Sequence, residues 1–333
     1  MLSFLVWFHT SEDSSAQGNS SDETRVASQK RYIDDILIPL LQTLLQDPDP
    51  EVTSAALRAV TNASKGHGRE NRRNEDDSVS LSSHQSHLME KIDPVIRPVL
   101  SEAQVLKLVP TLSELSSSAQ WRVRQSAVEI VPALLGCTHK LETRSEISQL
   151  CVKLMGDRVD AVRKSAAECL CHGGRNLGSD GSNEVDVWLS TIVMPHLEAC
   201  RNSADCKQRL LCLKMVEMIL VDIARYSSSS YNQSVEDEKE GTDGSLLVRR
   251  ILDIALSLCN DKIVNVRLNV GRTYGNVINT LACSDLEYVV SSLESQIAEE
   301  KSRGINGGDR DVIYFAQKSI SAAKDRLKCF SRK

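Results

Sequence analysis

The sequence predicts an all-α protein, an α-α superhelix of about six stacked helix pairs. Three observations predict it: a short phrase centred on Val-Arg that recurs at helix-pair spacing, an amphipathic stretch ahead of each copy, and an aromatic content of only 4% with four Phe. So few large side chains suit helices packed through Leu, Val, Ile and Ala better than the layers of a sandwich, a barrel or an α/β domain.

The recurring phrase reads Trp121-Arg122-Val123-Arg124, Asp160-Ala161-Val162-Arg163 and Val264-Asn265-Val266-Arg267, each with a small or β-branched residue four after the second-helix Val. Weaker copies are Val52 with Ala56, Cys206 with Leu210 and Val312 with Ala316. From Val123 to Val162 is 39 residues, from Val162 to Cys206 is 44 and from Val266 to Val312 is 46. Helix-pair repeats of the HEAT and armadillo type have this period. Two gaps are longer, 60 residues from Cys206 to Val266 and 71 from Val52 to Val123, and each holds an insertion. Residues 66–87 and 226–244 lack apolar periodicity and are rich in Ser and charge, so they are expected to be solvated, disordered loops. Residues 1–29 are expected to be a disordered N-terminal segment, and 30–330 the repeat array.

Before each phrase lies a candidate first helix, at residues 32–46, 104–116, 146–155, 187–200, 246–259 and 286–299. Leu247, Ile251, Ile254 and Leu258 show the rhythm of one buried face. Asp- and Asn-containing turns follow, at Gln46-Asp47-Pro48-Asp49-Pro50, Gly156-Asp157 and Asn260-Asp261. Such residues cap the next helix, and Pro fits its first turn. A single pair cannot bury its apolar sides alone, so the pairs must stack.

The Arg of the phrase has a structural reading. Asp157 precedes Arg163 by six, and Asp261 precedes Arg267 by six. That spacing lets a turn Asp reach the Arg of a neighbouring repeat, so Asp157, Arg163, Asp261, Arg267 and Arg124 are expected to form a ladder of charge-assisted hydrogen bonds.

Composition bounds function. A net charge of −5 disfavours a general nucleic-acid or membrane-surface binder and favours a protein partner. The ten Cys are scattered, with Cys151, Cys212 and Cys259 inside apolar helical patterns, as expected of buried thiols in a reducing compartment. A cytoplasmic and also nuclear location is the expectation. Residues 2–8 are apolar but have no basic flank or cleavage site and are too short to span a bilayer. They are read as the exposed end of an array or a minor anchor.

No catalytic, cofactor or metal constellation emerges. Cys169-Leu170-Cys171-His172 has no matching pair at zinc-finger spacing, and there is no P-loop, dinucleotide Gly motif or His-Glu-x-x-His. Gly66-His67-Gly68 is loop punctuation, and the paired acids Asp34-Asp35 and Asp76-Asp77 are expected to be solvated. The chain is expected to be no enzyme.

The wording of the repeats resembles the C-terminal half of the scaffold subunit of protein phosphatase 2A and the related regulatory subunit 1 of phosphatase 4. Four stretches carry the resemblance, in the family's order: Trp121-Arg122-Val123-Arg124, Val159-Asp160-Ala161-Val162-Arg163, Asn265-Val266-Arg267-Leu268-Asn269-Val270, and Asp311-Val312-Ile313-Tyr314-Phe315-Ala316-Gln317. It covers residues 104–325. The resemblance implies an open horseshoe whose intra-repeat turns grip a Ser/Thr phosphatase catalytic subunit, with room for a further regulatory subunit. Carried over by position, the contacts fall on Trp121, Arg122, Asp160, Cys206, Arg209, Ile263, Asn265 and Arg310. An exposed Trp beside an Arg has the composition of an interface hot spot. At Asp160 and Cys206 the family favours Tyr, so two aromatic anchors are missing here. The acidic and Ser-rich insertions fit the phosphatase 4 subunit better than the compact scaffold. The alternative is a HEAT-repeat adaptor for transport cargo or a cytoskeletal partner, against which stands the lack of a basic ridge or a repeated Trp/Asn array.

Overall fold

The computed structural model describes residue 31 and residues 33–64, 100–176, 182–230, 243–303 and 308–330, and among these every element is helical. The chain divides into two compact units, Met1–Arg144 and Ser145–Lys333. The expected disordered segments at 1–29 and 66–87 lie outside the described residues, as does the core of the third, residues 231–242.

In the first unit, a π-helical turn (Ile33–Leu37) leads into α1 (Ile38–Leu45), which is paired with α2 (Pro50–Ser64). The second pair is α3 (Glu102–Leu115) and α4 (Trp121–Glu129), the latter resuming after Ile130 as Val131–Leu135. The π turn has a local cause. Pro39 has no N–H and its ring crowds the carbonyl four residues back, so the chain widens by one residue ahead of it. The break at Ile130 likewise precedes Pro132. Leu41, Leu45, Leu57, Leu108, Leu112, Ile130, Leu134 and Leu135 fill the core of this unit. Burying one such side chain stabilises by about 1.5–3 kcal/mol. A capping box starts α3, where the Ser101 N–H donates to Gln104 Oε1 at 2.9 Å.

The boundary between the units falls within α5 (Leu141–Leu154). The second unit continues with α6 (Asp160–His172), then α7, which runs as Ser182–Trp188, a π turn Leu189–Val193 ahead of Pro195, and Met194–Arg201. Next come α8 (Cys206–Ser230), α9 (Asp243–Leu256, ending in a 3-10 turn Ser257–Asn260), α10 (Val264–Val277), α11 (Cys283–Ser302) and α12 (Arg310–Phe330). The second helices α6, α8, α10 and α12 pack side by side in that order, with α7, α9 and α11 against them. This helix-pair stacking is the HEAT/armadillo arrangement. Buried Trp188 and Tyr274 each satisfy their polar tip on a neighbouring helix, Trp188 Nε1 on the Leu170 carbonyl at 3.3 Å and the Tyr274 hydroxyl on Leu252 at 2.9 Å.

Where α10 meets α12, only glycine fits. A Cβ on Gly271 would stand 2.9 Å from the Ala316 nitrogen and 3.0 Å from the Phe315 carbonyl carbon, both backbone atoms. The Ser319 hydroxyl donates to the Gly271 carbonyl at 2.7 Å across the same contact.

Of the face expected in α9, Ile251, Ile254 and Leu258 are buried and Leu247 is half-buried. The expected insertion at 226–244 is shorter than its sequence pattern, because α8 runs to Ser230 and α9 begins at Asp243. Each Ser costs a helix only a few tenths of a kcal/mol, so a long helix propagates past the end of its apolar stripe. Cys151, Cys212 and Cys259 are buried free thiols, and burial pushes Cys259 up to about 12.

Candidate functional site: the turns that open the second helices

Four of the second helices, α4, α6, α8 and α10, start from a turn built the same way. A Ser or Asp side chain accepts the N–H two residues on: Ser118 from Gln120 at 3.2 Å, Asp157 from Val159 at 2.8 Å, Ser203 from Asp205 at 3.2 Å and Asp261 from Ile263 at 2.8 Å. The backbone carbonyl of that same residue accepts a guanidinium NH1 from the Arg six positions later. The pairs are Arg124 on Ser118, Arg163 on Asp157, Arg209 on Ser203 and Arg267 on Asp261, all at 2.8 Å. Arg144 grips the Thr138 carbonyl at 2.8 Å with the same offset. In the first pair a hydroxyl takes the place of the guanidinium, and Thr53 donates to the Asp47 carbonyl at 3.2 Å. These carbonyls belong to turn residues outside the helices, and the Arg clamps supply them with hydrogen-bond donors.

Neighbouring repeats are then stitched together, though with partners other than those the spacing suggested. Asp261 gives its backbone carbonyl to Arg267 but its carboxylate to Arg209 of the preceding repeat, at 2.5 Å to Nε and 3.0 Å to NH2. Arg267 reaches forward to Glu300 near the end of α11, at 2.8 and 2.9 Å. Arg163 uses Asp160 of its own helix, at 2.8 Å, and Arg124 holds the carbonyls of Ser118 and Ala119. Burial opposes ionisation of Asp261 and Glu300, but the Arg209 and Arg267 guanidiniums and the N–H groups of Ile263 and Asp309 outweigh it, and both carboxyls are held below their ordinary values.

Arg209 was expected on the binding surface. It is only 5% exposed, because its guanidinium is spent on Asp261, Ser203 and Ala204. The alignment of Cys206 with Val162 is also off by two, since the clamp pairs Arg209 with Arg163 and so Gln208 with Val162. The missed residues had a signal: a Ser, Thr or Asp six before an Arg, as in Thr138 and Arg144 or Ser203 and Arg209. Glu300 had none, standing 33 residues from Arg267.

The remaining expected contacts lie at the surface, at or beside the first residue of a second helix. Trp121, 39% exposed, opens α4 with the Arg122 guanidinium 5.4 Å from its ring centroid. In the same unit a cleft of about 420 Å³ lies between the α1–α2 and α3–α4 turns, lined by Leu45, Pro48, Pro50, Leu115, Gln120 and Val123. In the second unit Asp160 opens α6, and the hydrogen bond from Lys164, with Arg163 beside it, holds its carboxyl low. Half-buried Cys206 opens α8, exposed Ile263 and Asn265 flank the start of α10, and exposed Arg310 opens α12. Asn265 is tied to its own helix, accepting from Asn269 Nδ2 at 2.7 and 3.0 Å.

Among the described residues no group of three or more His, Cys, Asp or Glu is placed to hold a metal ion. Cys169 and Cys171 are buried, and His172 Nδ1 lies 2.6 Å from buried Asp222 Oδ2. Asp34 pairs with Lys107 at 2.7 Å and Asp35 is exposed, whereas Gly66-His67-Gly68 and Asp76-Asp77 lie outside the described residues. No described helix is long and apolar enough to cross a membrane.

No protein-family model matches the chain, and no curated protein matches it. Among solved structures it is similar to a designed armadillo repeat protein, with 15% identity and a TM-score of 0.34 over 86% of this chain and 99% of the other. It is also similar to yeast importin-beta, with 13% identity and a TM-score of 0.39 over 89% of this chain and 30% of the other.

Proposed function

We propose that this chain is a non-catalytic scaffold or regulatory subunit that binds the catalytic subunit of a Ser/Thr protein phosphatase of the 2A or 4 type through the turns opening its second helices. The reading places it in the cytoplasm and the nucleus. One observation carries it: Trp121 and Arg122 stand exposed and stacked on each other at the start of α4, where the family resemblance puts a partner contact. Trp121 keeps 39% of its surface in water at a helix entry, and a partner that covers a Trp of this kind gains the energy of a hot spot, about 2–4 kcal/mol. The Arg clamps support the same reading, since they hold the turn backbone rigid and leave little ordering entropy to lose on binding.

The test is a pull-down of phosphatase catalytic subunit with the intact chain, repeated with Trp121→Ala plus Arg122→Ala and with circular dichroism to check folding. The double variant is expected to lower recovery at least tenfold. Equal recovery by a folded double variant removes this site, and no recovery by the parent chain removes the phosphatase reading.

A further inference from the structure

The four turns of the second unit form one continuous, bonded edge. Gln208 Nε2 donates to the Met155 carbonyl at 2.7 Å and joins the α6 turn to the α8 turn. Arg209 and Asp261 join the α8 turn to the α10 turn. Arg267 with Glu300, and Arg303 with Asn260 at 3.1 Å, join the α10 turn to the α12 turn.

On this edge most acids are engaged, by an Arg, a Lys or a backbone N–H, whereas one cation of each turn is left without an ion pair. Asp157 accepts from the Val159 N–H, Asp160 is shared by Arg163 and Lys164, and Asp205 accepts from the Lys207 N–H. Asp261 is held by Arg209, Glu300 by Arg267, and Asp309 accepts from the N–H groups of Asp311 and Val312. Asp311 is the exposed exception. Meanwhile each turn presents one exposed cation that forms no ion pair among the described residues: Arg158, Lys207, Lys262 and Arg310. Reading charges along the sequence hides this row, because acids and bases alternate there and only the structure shows which are occupied.

We propose that this edge binds an extended acidic segment of a partner protein, with a carboxylate at about every third residue. The spacing follows from the fold. Helices packed side by side lie about 8–10 Å apart, and an extended chain advances about 3.3 Å per residue, so one turn is matched by three residues. Exposed Ile263 and Val264 between Lys207 and Arg310 offer an apolar step for the side chains between the acids.

This inference shares with the phosphatase reading only the premise that the turn edge faces a partner. Its test uses the intact chain and a fluorescent twelve-residue peptide of four Glu-Gly-Ser repeats, with a composition-matched peptide carrying its four Glu in one block, and oligouridine as a polyanion control. The spaced peptide is expected to bind at low salt, at least threefold tighter than the block peptide, and to weaken as salt rises. Arg158→Glu, Lys207→Glu, Lys262→Glu and Arg310→Glu combined are expected to lower its affinity at least tenfold, and the corresponding Gln set serves if that variant does not fold. No binding of the spaced peptide, equal affinity for the two peptides, unchanged affinity in the folded quadruple variant, or oligouridine binding as tight as the spaced peptide each overturns the proposal. The Trp121 and Arg122 pull-down is scored separately, so either idea can fail alone.

Discussion

Replacing Glu300 should unravel the end of the second unit. Glu300 is 2% exposed and accepts three hydrogen bonds, two from Arg267 at 2.8 and 2.9 Å and one from the Asp309 N–H at 3.1 Å. Glu300→Ala leaves the buried Arg267 guanidinium with the Asp261 carbonyl alone and strips an acceptor from the α11–α12 turn. Breaking a buried pair by removing one member costs about 3–5 kcal/mol, because the other charge stays desolvated. Glu300→Gln keeps one carbonyl acceptor and loses the charge, so its cost falls to about 1.5–3 kcal/mol. The control is Glu299→Gln, an exposed neighbour expected to lie within about 0.5 kcal/mol of the parent. Urea unfolding followed by far-ultraviolet circular dichroism measures all three. A loss below about 1 kcal/mol for Glu300→Ala would show that the stitch between α10 and α11 contributes little.

Arg209→Ala should cost a similar amount, about 3–5 kcal/mol, by leaving Asp261 buried without its guanidinium, and Arg209→Lys should recover only part because a single ammonium cannot serve both carboxylate oxygens and the Ser203 carbonyl; urea midpoints decide. Gly271→Ala gains about 1 kcal/mol of helix propensity but forces α12 away from backbone contacts at 2.9–3.0 Å, a strain of about 1–3 kcal/mol, so a net loss is expected, larger still for Gly271→Val; thermal melts test it. Acid should destabilise the fold in a defined window. The Asp261 and Glu300 carboxyls are lowered in the folded state, so the unfolded state binds more protons, and their stabilisation is complete above the ordinary carboxylate range of about 4–4.5 and is lost as pH falls through the lowered folded values. Glu300→Gln should flatten that acid limb in urea midpoints taken between pH 7 and pH 3, and an unchanged limb would assign it to other carboxyls.

The helix pairs were legible because the signals were local: an apolar stripe such as Ile251, Ile254 and Leu258, an Asp in the turn such as Asp157 or Asp261, and a Val-Arg phrase at the start of α4, α6 and α10. The role of the Arg was half legible. Its offset of six from a turn residue was visible, but the acceptor is the backbone carbonyl of that residue, and side-chain chemistry alone points instead to the carboxylate. Arg209 was misplaced for a related reason. Its place among the contacts came from the family resemblance, while the polar Gln208 in the position of Val162 broke the Val-Arg pattern that marks Arg209 as a clamp like Arg163. Glu300 was out of reach, because Glu299 beside it is indistinguishable in sequence and only the packing of α11 decides which of the two turns inward. The exposed row of Arg158, Lys207, Lys262 and Arg310 was hidden by neighbouring acids whose hydrogen bonds were not yet known.

Amide hydrogen exchange of the intact chain, with and without a phosphatase catalytic subunit, probes the proposed mode of action most directly. Slowed exchange should concentrate at the first turns of the second helices, around Trp121, Asp160, Cys206, Val264 and Arg310, with the far ends of the same helices unchanged. Protection confined to those far ends, or none at saturating subunit, would contradict the proposal that the turns are where this protein takes hold of its partner.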